Sequence, residues 1–481
     1  MRNLVERAVE TAKVRGASYA DCRIIFTKEE EMTVKNGKVG HLGIGEDYGF
    51  GVRVIADGAW GFAFSPDVTA KNIDEVAAEA VRIAKASAKL KKLDIQLAPE
   101  PVVDEIWQTP ISEDPFSVPL EEKLALLFEI DKLLRADKKI ANAEGTLAFK
   151  SEHQWMATSE GSYIDQLLIR SGAGYSATAV GNDEVQVRSY PNSFRGQYMT
   201  QGYELVRGLG LKNHAERVRE EAIELLTAPT LPSGKRDTII DGSMLGLQIH
   251  ESVGHATELD RVLGMEANYA GMSFVTTEKL NNFQYGSEHV NLVCDSTMPG
   301  GLATLGWDDD GVRAQRWHLV QKGKFVGYQY NRELAHVINA DRSSGNSRAQ
   351  GWSNIPIVRI TNLSLMPGSW ELDDMMADTD GGLYMETNRS WSIDQWRLNF
   401  QFGVEACWEI KGGKKGQLYK NANYQGITPQ FWGSVDAIAN QKYWTLWGVH
   451  NCGKGQPGQT AEMSHGAAPT RFRDLTVGVG N

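Results

Sequence analysis

The sequence predicts an α+β fold in two parts. An N-terminal α/β domain over 1–230 combines antiparallel hairpins with helices, and a C-terminal, mainly antiparallel β domain over 231–481 carries a metal-site helix. Three observations lead there. Period-two apolar segments are joined by Asn-Gly and Asp-Gly dipeptides, the turn chemistry of hairpins. Amphipathic helical stretches are grouped beside these strands and show no regular βαβ alternation. The segment TAPTLPSGKRD, Thr227 to Asp237, interrupts a helical pattern with two prolines and a glycine and so marks a domain boundary. With 481 residues the chain exceeds the ~250–300 residues at which single cores stop growing.

The first helix follows from MRNLVERAVETAKVRGA, where Leu4, Val5, Ala8, Val9 and Ala12 share one face. EEEMTVKNGKVGHLGI then predicts a hairpin turning at Asn36-Gly37. GVRVIADGAWGFAFS predicts a second, turning at Asp57-Gly58, with Val52, Val54, Trp60, Phe62 and Phe64 in alternation. Amphipathic helices are expected at about 68–90 and 120–134, on either side of a proline-rich connection, and again near 214–226. A strand pair turns within ATSEGSYIDQ. Beyond the boundary, RDTIID reads as a strand leading into a helix, and VNLVCD, WHLVQKGKFVGYQY, IPIVRITNLSL and FGVEACWEI read as strands.

Fifty basic residues against 61 acidic ones leave a formal charge of −11, and no basic run is long enough to track phosphates, so direct nucleic-acid binding is not expected. No stretch of ~18 apolar residues indicates a membrane span, and the charged first helix has no signal-peptide core. Four cysteines in so long a chain fit reduced thiols and a cytoplasmic location better than a disulfide framework. Ten of the 13 tryptophans follow residue 300; core packing is the ordinary reason, the wall of an apolar cleft the alternative.

The stretch QIHESVGHATE, 248–258, places Glu251 directly after His250 and a second histidine, His255, five residues on. A hydrolytic zinc takes three protein ligands and leaves a position for water, which a neighbouring carboxylate deprotonates. On a regular helix, however, residues at i and i+5 lie about 140° apart, against about 40° for i and i+4. The motif therefore requires a local irregularity between Glu251 and His255, either a π-bulge or a helix end, and Gly254 tolerates both. Candidates for a third ligand in the β-rich domain are Cys294, Cys407, Cys452, His289, His318, His450 and numerous carboxylates. Cys294 and Cys407 sit in apolar strand patterns, where a cysteine is usually a small core residue. Cys452 lies between a strand-like run and a glycine-rich loop, VHNCGKGQPGQ, where backbone freedom lets a side chain reach a metal.

HESVGH followed some two hundred residues later by NCGKG resembles the TldD/PmbA family of zinc metallopeptidases, also described as modulators of DNA gyrase. GFGVRVIADGAWGFAFS, SEGS at 159–162, PIVRITNLSL and FRDLTVG extend the likeness over nearly the whole chain. The resemblance implies Zn2+ held by His250, His255 and Cys452, with Glu251 as the catalytic base, as in the metal-binding TldD branch. It implies a homodimer, or a heterodimer with a metal-less TldE-like subunit, and an unfolded or extended peptide as substrate. Residues 387–423 and the tail SHGAAPTRFRDLTVGVGN depart from the family pattern, which bears on specificity and partner choice more than on the metal.

The expected activity is zinc-dependent hydrolysis of peptide bonds, with the peptide added as a strand to a sheet edge of the second domain. Two alternatives stand beside it: a non-catalytic regulatory binding module related to gyrase, and a zinc hydrolase of small amides. A long groove would favour peptides and a closed pocket small molecules. His289, His318 and Tyr328 are further candidates for stabilising the oxyanion.

Overall fold

The computed structural model describes residues 1–480. After a helix at Arg2–Val14, strand Tyr19–Lys35 pairs with Lys38–Ala56, which pairs in turn with Ala59–Ser65. Both turns are tight because their dipeptides adopt positive φ at both positions: Asn36 49° and Gly37 75°, Asp57 51° and Gly58 75°. On its other edge Tyr19–Lys35 pairs with Ile140–Thr158, and that strand with Tyr163–Gly181. The resulting eight-stranded sheet is antiparallel except where Asp104–Gln108 runs parallel to Tyr163–Gly181.

The two faces of this sheet differ in chemistry. Ala20, Cys22, Ile24, Met32 and Val34 point to an apolar face. Helices Arg2–Val14 and Ala70–Ser87 cover one end of that face, and Leu120–Leu134 and Leu211–Leu225 the other. Gly61 lets the alanine-rich helix come close: a Cβ there would lie 2.1 Å from the Ala80 carbonyl oxygen. The alternate residues of the same strands form a buried polar face against the C-terminal half. Asp21 and Asp310 pair with Arg53, Gln154 donates to Asp309, and Lys150 pairs with Glu462. The charged residues that break the strand patterns of this half thus belong to its contact with the other.

In the C-terminal half, strands Leu383–Ile393, Gly234–Ile240, Thr470–Val477, Asn423–Ile427 and Asn399–Lys411 follow one another in a ladder. Leu383–Ile393 also pairs with Asn399–Lys411, so the ladder closes on itself. The stretch IPIVRITNLSL is not one strand. It makes two short ones, Ile357–Val358 and Leu363–Leu365, because the backbone between them bonds to other partners: Arg359 N–H to the Asn346 carbonyl and Thr361 N–H to Gln329 Oε1. Trp307 and Trp432 are core residues, whereas Trp391 and Trp396 remain 45% and 49% exposed. Among the described residues no helix is long and apolar enough to cross a membrane.

Candidate metal centre

Strand Gly234–Ile240 leads into helix Gly242–Ile249, whose first turn is capped by the Asp241 carboxylate accepting from Ser243 N–H. Every residue of this helix is buried, as its apolar composition on all sides requires. At His250 the helix widens into a π turn, His250–Gly254, closed by the His255 N–H donating to the His250 carbonyl. An i→i+5 bond places residues five apart on one face. This is the irregularity that the spacing of the motif requires, and it brings the His250 and His255 rings to 4.8 Å between centroids.

Such a turn costs the helix several of its own carbonyl partners, and neighbouring side chains replace them. Tyr285 Oη donates to the Ser252 carbonyl at 2.5 Å, Thr257 Oγ1 to Val253 at 2.9 Å and Gln329 Nε2 to Gly254 at 2.9 Å. Ser252 Oγ donates back to Gln248 and accepts from Trp432 Nε1. Gly254 does not serve through unusual torsions, since its φ of −52° is open to any residue. It makes room, because a Cβ would stand 2.7 Å from Ile360 Cδ1 and 3.3 Å from both γ carbons. Gly254→Ala should therefore lower stability by about 1–2 kcal/mol through overpacking, read as a reduced midpoint in denaturant; an unchanged midpoint would show that Ile360 moves aside freely.

Cys452 comes from the other direction, on the hairpin of Thr445–Lys454 and Gln459–Ala467. The register of that hairpin shifts between Val449 and Cys452, and a bulge of this kind re-aims a side chain. Arg359 holds the hairpin behind the cysteine, donating to the Cys452 carbonyl at 2.5 Å and to the Gln459 carbonyl at 3.1 Å. The result is a cluster in which ligand atoms of His250, His255 and Cys452, all buried, lie within 4.8 Å of one another. Among the described residues no other grouping of three potential ligands has this closeness.

The sulfur of Cys452 is 3.5 Å from His255 Nε2. A tetrahedral zinc with ~2.05 Å to nitrogen and ~2.3 Å to sulfur would separate the two by about 3.6 Å. Burial holds His250 below its ordinary pKa and His255 well below it, which favours the neutral imidazole that binds metal. Burial opposes ionisation of Cys452, and the Arg359 guanidinium behind it favours the thiolate.

An outer layer orients these groups. His255 Nδ1 donates to Glu258 Oε2 at 2.8 Å, which leaves Nε2 toward the sulfur. Glu258 is paired at 3.1 Å with Lys454, whose ammonium also meets Asp260 at 2.7 Å and the Val358 carbonyl at 2.6 Å. Lys454 stands two residues after Cys452, so this buried pair ties the cysteine hairpin to the histidine turn. Glu251 is held through Oε2 by Arg397 Nη1, and among the described residues nothing donates to its Oε1.

The other residues considered from sequence lie elsewhere. Cys294 and Cys407 are buried in strands, and burial pushes both thiols up. His450 stacks on Tyr198 with 4.1 Å between centroids, His289 is exposed and His318 half-buried. Tyr328 Oη is occupied with the Val275 and Thr276 carbonyls. Glu258, Lys454, Arg397 and His465 were not foreseen. Glu258 and Lys454 had a local signal, a carboxylate and an amine within three residues of the motif residues; Arg397 and His465 reach the site only through the tertiary fold.

Known proteins resemble this chain over nearly its whole length. The chain matches the PmbA/TldA metallopeptidase domain 1 over residues 20–84, the central domain over 113–226 and the C-terminal domain over 233–479. A metalloprotease of Methanocaldococcus jannaschii is 30% identical over 94% of this chain and 95% of its own. A zinc metalloprotease TldD homologue of Saccharolobus solfataricus is 21% identical over 98% of each. The crystal structure of TldE from Thermococcus kodakarensis superposes with a TM-score of 0.71 at 15% identity, covering 98% of this chain and 99% of that one. A Thermotoga maritima structure, described as a candidate modulator of a DNA gyrase, reaches 0.77 at 16% identity over 99% of both chains. These likenesses in fold and in length, together with the three domain matches, establish that the chain belongs to the PmbA/TldD family of metallopeptidases.

Proposed function

We propose that the chain is a zinc-dependent peptidase that hydrolyses unfolded or extended peptides, with His250, His255 and Cys452 as ligands and Glu251 as the base. The observation that carries this reading is the π turn, which brings two imidazoles and a cysteine sulfur within 4.8 Å of one another, with Glu251 next to His250 in the chain. The donor set fits zinc: two nitrogens and a thiolate, each nitrogen fixed by an outer hydrogen bond. A bound zinc supplies Lewis acidity toward a peptide carbonyl and acidifies water to near pH 7.

The protein supplies the proton path. Arg397 fixes one oxygen of Glu251 and leaves Oε1 to accept the proton of the attacking water. The same oxygen then returns it to the departing amine nitrogen. Binding alone would give no reason to hold a carboxylate in this way at the edge of a ligand cluster. A dimer, of like subunits or with a TldE-like chain, goes with this reading and is supported by the likeness of fold to a TldE.

The test is metal content. The purified chain should hold about one zinc, and Cys452→Ala should lose it while Cys407→Ala, on strand Asn399–Lys411 and outside the cluster, keeps it. Equal zinc in wild type and Cys452→Ala, or no metal loading at all, would overturn the assignment.

A further inference from the structure

His465 lies on strand Gln459–Ala467 and is fully buried. Its Nδ1 is 2.9 Å from the Leu363 carbonyl oxygen and its Nε2 is 2.8 Å from His250 Nδ1. A carbonyl oxygen can only accept, so the proton of His465 is on Nδ1. A neutral His465 then has a lone pair on Nε2, and the only hydrogen that can fill the 2.8 Å contact belongs to His250 Nδ1. The proton of His250 is thereby placed on the far side of the ring, and its Nε2 lone pair is free.

We propose that His465 is a positioning residue that holds His250 in the Nδ1–H tautomer and aims its Nε2 at the metal. The opposite arrangement, with His465 donating from both nitrogens, would need a buried imidazolium; among the described residues no carboxylate pairs with it. It would also leave the His250 proton on Nε2, where it blocks ligation.

The two histidines of the site are therefore oriented by different chemistry. His255 donates to a carboxylate whose charge is balanced by Lys454, whereas His250 donates to a neutral ring. A histidine in a strand, backed by a main-chain carbonyl, supplies an acceptor without adding charge to the core. Both supports are rigid: His465 is in the Gln459–Ala467 ladder, Leu363 begins strand Leu363–Leu365, and Gly466 N–H donates to Ser364 Oγ at 2.9 Å.

This inference rests on His250 being a ligand, and the experiment separates the two. Zinc and cobalt affinities of the full chain are measured by chelator competition for wild type, His465→Leu and His465→Gln. Leucine fills the space but accepts nothing, so affinity should fall roughly 10–100-fold with an altered cobalt absorption spectrum. Glutamine offers a carbonyl oxygen to His250 Nδ1–H and should stay within a few-fold of wild type. The metal-free wild type, labelled with 15N-histidine, should show His250 as Nδ1–H by NMR. Leucine binding as tightly as wild type with the same spectrum, or a wild-type His250 found as Nε2–H, would overturn the proposal, and the NMR result decides even if the leucine variant does not fold. A wild type that binds no metal would instead remove the reading of His250 on which it stands.

Discussion

Glu251→Gln is expected to retain its zinc and to hydrolyse an unfolded protein about 10²–10⁴-fold more slowly than wild type, the usual contribution of a positioned general base. The expectation comes from the division of labour in the cluster. The proposed ligand atoms are those of His250, His255 and Cys452, and Glu251 is tied instead to Arg397. Glutamine keeps the shape and still accepts from Arg397 through its oxygen, but its other terminus is an NH₂ group that cannot take a proton. The loss should appear in kcat, because binding of the peptide does not depend on proton transfer. A variant of full activity would dismiss Glu251 as the base. One that also loses zinc would mean that Glu251 belongs to the metal's own support.

The same cluster shows how much of the site could be read from the sequence. The hairpins follow from Asn36-Gly37 and Asp57-Gly58, whose positive φ values only a few residue types adopt readily. The motif required a break in the helix because two histidines five apart cannot otherwise meet, and the structure has that break as a π turn. Its type could not be read, because it depends on Tyr285, Gln329 and Trp432, which arrive from distant segments to satisfy the displaced groups. Gly254 was noted for its backbone freedom and instead makes space for Ile360. A glycine kept for room has no local signature, since the neighbour it admits is a hundred residues away. His465 and Arg397 were missed for the same reason. Nothing in their surroundings sets them apart until the chain folds and brings them to His250 and Glu251.

Lys454→Met should destabilise the chain by about 3–5 kcal/mol, the cost of removing one partner from a buried ion pair. The ammonium of Lys454 is fully buried between Glu258 and Asp260. Burial works against its charge, but Asp260, Glu258 and Glu266 hold its pKa above the ordinary lysine value. Without it two carboxylates face each other in the core. Burial already raises the pKa of Asp260, so that group can relieve the repulsion by taking up a proton. Adding Asp260→Asn to Lys454→Met should therefore recover part of the loss, which a strictly additive pair of substitutions would not do. The effect on metal should run in parallel, because Glu258 orients His255 and Lys454 anchors the strand of Cys452. Unfolding in denaturant with metal chelated reads the first effect, and zinc affinity the second. A Lys454→Met chain of wild-type stability would mean that the carboxylates are neutral and that the link between turn and hairpin rests on packing. If stability falls while zinc affinity does not, the pair holds the fold together without setting the geometry of the ligands.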